Sequence, residues 1–162
     1  RVKLEGISHG HNQEMYVQAR EPELLHYKCS ECHNQPITQL RLESKAEGKL
    51  AHWDTELHHA GNAVMNCFSC HNEQDFNSLK TLGGKKISFN HSYNLCGQCH
   101  STQLKDWIGG AHGKRLGGWT KPRVSASCTN CHNPHNPSIK SRWPARLNTQ
   151  KVLETQKPEI GE

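Results

Sequence analysis

Apolar residues in this chain arrive singly or in pairs and are soon interrupted. Gly, Pro and Asn break every run, so neither a long 3.6-residue period nor a sustained alternation builds up. The pattern predicts a mainly irregular fold with short α-helices and little or no sheet. Helical stretches are expected at Pro22 to Tyr27, Thr55 to Asn66 and Gln98 to Ile108. No apolar run approaches the roughly 18 to 20 residues that a bilayer crossing needs, and the mean hydropathy of −0.87 agrees.

Composition deepens the problem of what such a chain could bury. Leu, Ile, Val and Phe make up only 28 of 162 residues, a fraction usual for disordered chains. The formal net charge of +5 is too small for self-repulsion to explain that deficit. Something other than aliphatic side chains must fill the core.

The cysteines supply the answer. All eight fall into four Cys-x-x-Cys-His units: Cys29, Cys32 and His33; Cys67, Cys70 and His71; Cys96, Cys99 and His100; Cys128, Cys131 and His132. A Cys-x-x-Cys pair alone serves zinc sites, redox dithiols or disulfides, but a directly following His marks covalent attachment of haem c. The two thiols form thioethers to the haem vinyl groups, and the His becomes the proximal iron ligand. His is 13 of 162 residues, so four such histidines by chance have a probability of roughly 4 in 100,000. Zinc sites do not require a His after every second Cys, and small disulfide scaffolds seldom space all their cysteines as short pairs. The expected cofactors are four haems c.

Nine histidines remain for the distal positions, and four irons need at most four. With so many imidazoles and only Met15 and Met65 as thioethers, bis-histidine ligation at every iron is the simplest reading. His135 ranks first, because Pro134 stiffens the backbone after His132 and directs a second imidazole away from that haem and toward another. His112 follows, flanked by Gly109, Gly110, Ala111 and Gly113, small residues that leave room for a porphyrin. His59 and His91, each preceding a motif, complete the preferred four. His58, His11, His9 and His26 come next, and His52 is read as a surface or propionate-bonding histidine. Trp53, Trp107, Trp119, Trp143, Tyr27, Tyr93, Phe68 and Phe89 are expected to pack against the haems.

The first cysteines of successive units lie 38, 29 and 32 residues apart, and three of the four units continue as Cys-His-Asn, which reads as a repeated module. Residues 1–140 then form one haem-packed domain. Residues 141–162 form a polar C-terminal tail without Cys or His, expected to pack on its own domain or on a neighbouring subunit. Over residues 29 to 135 the chain resembles the multihaem c-type cytochromes, in particular small tetrahaem electron-transfer proteins. The run from Cys96 through Ala111-His112-Gly113 to Cys128-Thr-Asn-Cys131-His132-Asn-Pro-His135 is similar to the alternation of haem motifs and distal histidines in hydroxylamine oxidoreductases and multihaem nitrite reductases. It has no Cys-x-x-Cys-Lys unit, so it lacks a counterpart of the lysine-ligated catalytic haem of the latter. Residues 1–162 also depart from the tetrahaem quinol dehydrogenases, which carry an N-terminal membrane helix.

The resemblance implies a periplasmic or extracellular protein, exported and with its signal removed, because haem c is attached outside the energy-transducing membrane in these cytochromes. It implies an electron carrier with no catalytic residues, exchanging with redox-protein donors and acceptors as a shuttle or as a subunit of a respiratory complex. The alternative is a subunit of an extracellular cytochrome filament, a homopolymer built by a heterologous contact. A third reading is an enzyme with one open haem that reduces a small nitrogen or sulfur oxyanion, Arg115, Lys121 and Arg123 being nearby polar groups. Nucleic acid is not an expected partner. Four haems with ionised propionates would bring the +5 to about +1 oxidised and about −3 reduced, so the basic residues balance the cofactor.

Overall fold

The computed structural model describes residues 1–6, 14–47, 52, 55–118 and 120–139. The tail, His9, His11, Trp53, Trp119 and Trp143 lie outside the described residues. Among those described, most of the chain is turn and loop, carrying three α-helices and six strands of two or three residues.

The expectation of little or no sheet needs correction. Strands β1 (Val2–Lys3), β2 (Met15–Val17), β5 (Arg115–Leu116) and β6 (Arg123–Ser125) form one small sheet in the order β1-β2-β6-β5. β3 (Leu79–Lys80) and β4 (Lys86–Ile87) form a separate hairpin. These strands are too short to carry a readable alternation. What defines them is partners far away in sequence, as when β2 pairs parallel with β6 through Met15 opposite Arg123 and Val17 opposite Ser125.

Helix α1 (Ile37–Glu47) buries none of its residues. It is sustained locally by Pro36 just before its start, by a run of good helix formers, and by a Gln39 to Glu43 hydrogen bond of 2.9 Å one turn apart. That start signal was present in the sequence. The helix expected at Gln98 to Ile108 is instead two, α2 (Tyr93–Cys99) and α3 (Ser101–Gly109), bent at His100. The expected helix at Pro22 to Tyr27 shrinks to a 3-10 turn over Glu21–Glu23. Thr55 to Asn66 is not helical, because Gly61 closes a turn onto Val64 and Met65 while the preceding segment hydrogen bonds across to His135.

A small protein core lies between the larger sheet and helices α2 and α3. Val17 and Tyr93 are fully buried and Trp107 is nearly so, with Val2, Leu4, Leu104 and Ile108 packed around them. The Tyr93 and Trp107 rings stand 5.2 Å apart. The Trp107 indole donates to Ala126 O at 2.9 Å, and the Tyr93 hydroxyl donates to Glu5 O and accepts from Glu5 N. Buried aromatics need such partners for their polar ends. Tyr93 and Trp107 thus pack on each other and on the sheet.

Candidate haem sites

Each of the four motifs adopts the same local turn. The His backbone N–H donates to the carbonyl of the first Cys of its motif at 2.9 Å: His33 to Cys29, His71 to Cys67, His100 to Cys96 and His132 to Cys128. Three motifs begin as 3-10 turns (Cys29–Glu31, Cys67–Ser69, Cys128–Asn130), and the third lies within α2. The sequence caps two of these turns. The Asn66 side chain accepts from Phe68 N while Ser69 Oγ accepts from Asn66 N, and Asn130 Oδ1 accepts from Ser127 N. A helical turn puts residues one, four and five of each unit along one side. The thiols are all unpaired with one another as disulfides.

Opposite every motif histidine stands a second imidazole. His33 faces His52 with ring centroids 6.1 Å apart and planes 5° from parallel. His71 faces His135 at 6.2 Å and 15°, His100 faces His59 at 5.9 Å and 17°, and His132 faces His112 at 6.2 Å and 15°. Rings stacked face to face would be much closer, as Phe76 is to His33 at 4.1 Å. Two metal–nitrogen bonds of about 2.0 Å, with each ring centre about 1.1 Å behind its nitrogen, put the centroids about 6.2 Å apart. Four pairs at this spacing suit one six-coordinate iron between each pair.

The pairs place His135, His112 and His59 opposite motif histidines. They do not place His91 there. Its Nε2 donates to Lys3 O at 3.1 Å, its Nδ1 lies 3.8 Å from Glu5, and the ring packs edge-on against Tyr93. The fourth partner is His52, which is exposed as a surface histidine would be and yet stands opposite His33. His52 has a left-handed backbone, φ +61°, a turn geometry that nothing in the neighbouring residues announces. His58 pairs with Glu56 at 2.9 Å, and His26 is exposed. Two of the glycines around His112 have roles within the fold. Gly110, at φ +84°, ends α3 in the left-handed cap that turns the chain toward His112. A Cβ on Gly113 would come within 2.7 Å of Trp107 Cδ1, so glycine there serves packing against the indole.

Several features prepare these imidazoles as neutral ligands. His132 Nδ1 lies 3.0 Å from Pro137 O, and His59 Nδ1 lies 3.0 Å from Pro134 O. A carbonyl only accepts, so Nδ1 carries the proton and Nε2 keeps its lone pair for a metal. Burial lowers the pKa of His33, His71 and His135, and the neighbouring histidines lower it further. Phe76 packs on His33 with centroids 4.1 Å apart, a contact no sequence signal indicated.

The sites adjoin one another. His33, His52 and His135 all lie close enough to His71 to disfavour its protonation, which joins the first and second sites. Cys70 feels Cys99, and Cys96 feels Cys70, which joins the second and third. The neighbouring Cys128 thiol and burial push the Cys96 thiol up, while Cys96 pulls Cys128 down. That contact joins the third and fourth. Ser30 and Asn77 exchange two hydrogen bonds, Ser30 N to Asn77 Oδ1 at 3.1 Å and Asn77 Nδ2 to Ser30 Oγ at 2.8 Å, tying the first motif to the loop beyond the second.

The donor set fits haem c. Each site offers two thiols and two opposed imidazoles. Arg115 Nη1 is buried with no hydrogen-bond partner in the protein, and β5 carries it three residues beyond His112. A buried guanidinium nitrogen without a partner is costly, and a haem propionate is the kind of anion that would satisfy it. Among the described residues no three His, Cys, Asp or Glu side chains gather as a zinc site would require. No protein-family model, curated protein or solved structure matches the chain.

Proposed function

We propose that this protein is a tetrahaem c-type cytochrome that relays single electrons through four closely spaced bis-histidine haems. The observation that carries the reading is the set of four imidazole pairs, each joining a Cys-x-x-Cys-His histidine to one partner at 5.9 to 6.2 Å. Cys29 and Cys32, Cys67 and Cys70, Cys96 and Cys99, and Cys128 and Cys131 would hold the four groups covalently. His33 and His52, His71 and His135, His100 and His59, and His132 and His112 would fill the axial positions. A haem c with both axial positions filled gains and loses one electron without exchanging ligands. The chain's part is to fix both imidazoles before and after that change, to keep substrate away from the metal, and to hold successive sites side by side.

Closed sites support a carrier over an enzyme, since small-molecule reduction needs an open coordination position. All four pairs form within one chain, so the reading requires no ligand from a neighbouring copy. A position outside the cytoplasm follows from where haem c is attached, and the partners are then redox proteins at either end of the row. No helix among the described residues is long and apolar enough to cross a membrane.

The test is haem stoichiometry together with low-temperature electron paramagnetic resonance of the oxidised protein. Four covalently bound haems per chain with only low-spin iron are expected. Near-parallel imidazole planes split the iron d orbitals strongly, so the signals should be rhombic. Fewer than four haems, or a high-spin signal in the native protein, would overturn the assignment.

A further inference from the structure

The loop that follows the fourth motif touches three of the four sites at once. His135 in this loop stands opposite His71. Pro134 O accepts from His59 Nδ1, which stands opposite His100. Pro137 O accepts from His132 Nδ1, which stands opposite His112. In addition, His58 N–H donates to His135 O at 2.7 Å, so the segment bearing His59 is held against the same loop. Only the His33 and His52 pair has no hydrogen bond recorded to residues 133–137.

Asn133 sets the shape of this loop. Its Oδ1 accepts from His135 N at 3.0 Å, and its carbonyl accepts from Asn136 N at 3.1 Å, closing a four-residue turn. An Asn side chain that bonds the backbone two residues ahead is a strong local turn former. Pro134 and Pro137 add fixed φ angles on either side of His135. The orientation of both acceptor carbonyls and of the His135 ring therefore depends on one short turn.

We propose that Asn133 is a positioning residue for the second, third and fourth haem sites, acting through the turn it closes, and that it leaves the first site untouched. This rests on the reading of the four motifs as bis-histidine haem sites. The N–H···O=C bonds from His59 and His132 make those imidazoles more basic, which favours the oxidised metal. Loosening the turn should weaken both bonds together, raise the reduction potentials of the third and fourth sites, and free the His135 ring to rotate.

The experiment compares Asn133→Ala and Asn133→Asp with the native chain. Signals are first assigned by replacing His52, His59, His112 and His135 with Met one at a time. Haem content is measured first, and fewer than four covalent haems in the native chain would overturn the underlying reading itself. With four haems present, Asn133→Ala should shift the low-spin signals of three sites and raise the potentials of two, leaving the His33 and His52 signal unmoved. Asn133→Asp keeps the acceptor oxygen on an exposed side chain and should restore the native spectrum. Asn133→Gln, whose acceptor oxygen is set one carbon farther from the backbone, should act like Asn133→Ala and carries the test if the alanine variant fails to accumulate. Four unmoved signals, an equal shift in all four, a change confined to the His135 site, or an alanine-like Asp variant would each overturn the role of Asn133.

Discussion

Replacing His52 by Ala separates the structural assignment from the one that sequence order suggests. The His52 ring lies 6.1 Å from that of His33 and only 5° from parallel, while His91 is held by Lys3 O and Glu5. If each imidazole pair holds one haem iron as proposed, truncation removes one of eight axial imidazoles, so about a quarter of the iron should lose its sixth ligand. Electron paramagnetic resonance should then show a high-spin signal of about one iron per chain beside three unchanged low-spin ones. Loss of a strong donor destabilises the ferric state, so one reduction potential should rise by more than about 59 mV, a tenfold change for a one-electron couple. His52→Met should return that iron to low spin at a high potential, since a thioether ligand favours the reduced metal. His91→Ala should leave all four signals in place. An all-low-spin His52→Ala protein, or a high-spin signal in His91→Ala, would refute the pairing.

Other expectations follow from the same geometry. Arg115→Gln removes a half-buried positive charge beside the His112 loop, so one reduction potential should fall in potentiometric titration while Arg115→Lys stays nearer to native; an unchanged titration would mean that Arg115 faces no propionate. Trp107→Ala empties a buried indole site and strands the Ala126 carbonyl, which should cost about 3 to 5 kcal/mol in denaturant unfolding of the haem-loaded protein; a loss below about 1 kcal/mol would place the stability in the haem packing instead. The Lys86 ammonium hydrogen bonds to Asp75 and holds its carboxyl below the usual carboxylate value. A lowered folded-state pKa contributes stability that is complete above the unfolded value of about 4 and fades as pH falls through the lower folded value. Asp75→Asn should therefore flatten the acid limb of the stability profile below about pH 4 and leave its slope near neutrality unaltered.

What could be read in the sequence was the chemistry carried by neighbouring residues. Cys-x-x-Cys-His is a local unit, and the His-to-Cys backbone bond that recurs in all four turns is local as well. His135 and His112 were also picked out by their local setting, and each stands opposite a motif histidine. The same local reasoning would have found α1 from Pro36 and the helix formers that follow it.

Long-range pairing was not legible. His52 and His91 are both surplus histidines upstream of a motif, and no property of their immediate neighbours separates them. One is turned toward His33 by a left-handed residue and the other is drawn to the β1 end by Lys3 and Glu5. Thr55 to Asn66 has helical composition, yet its backbone bonds to a loop 77 residues away in sequence, His58 to His135. Strands of two or three residues exist only because distant segments meet, and their period is too short to register in a sequence window. The sequence by itself thus determined how each motif turns and which histidines were candidates to stand near it. The tertiary structure alone decided which imidazole faces which, because that choice depends on contacts between segments whose separation along the chain carries no local signal.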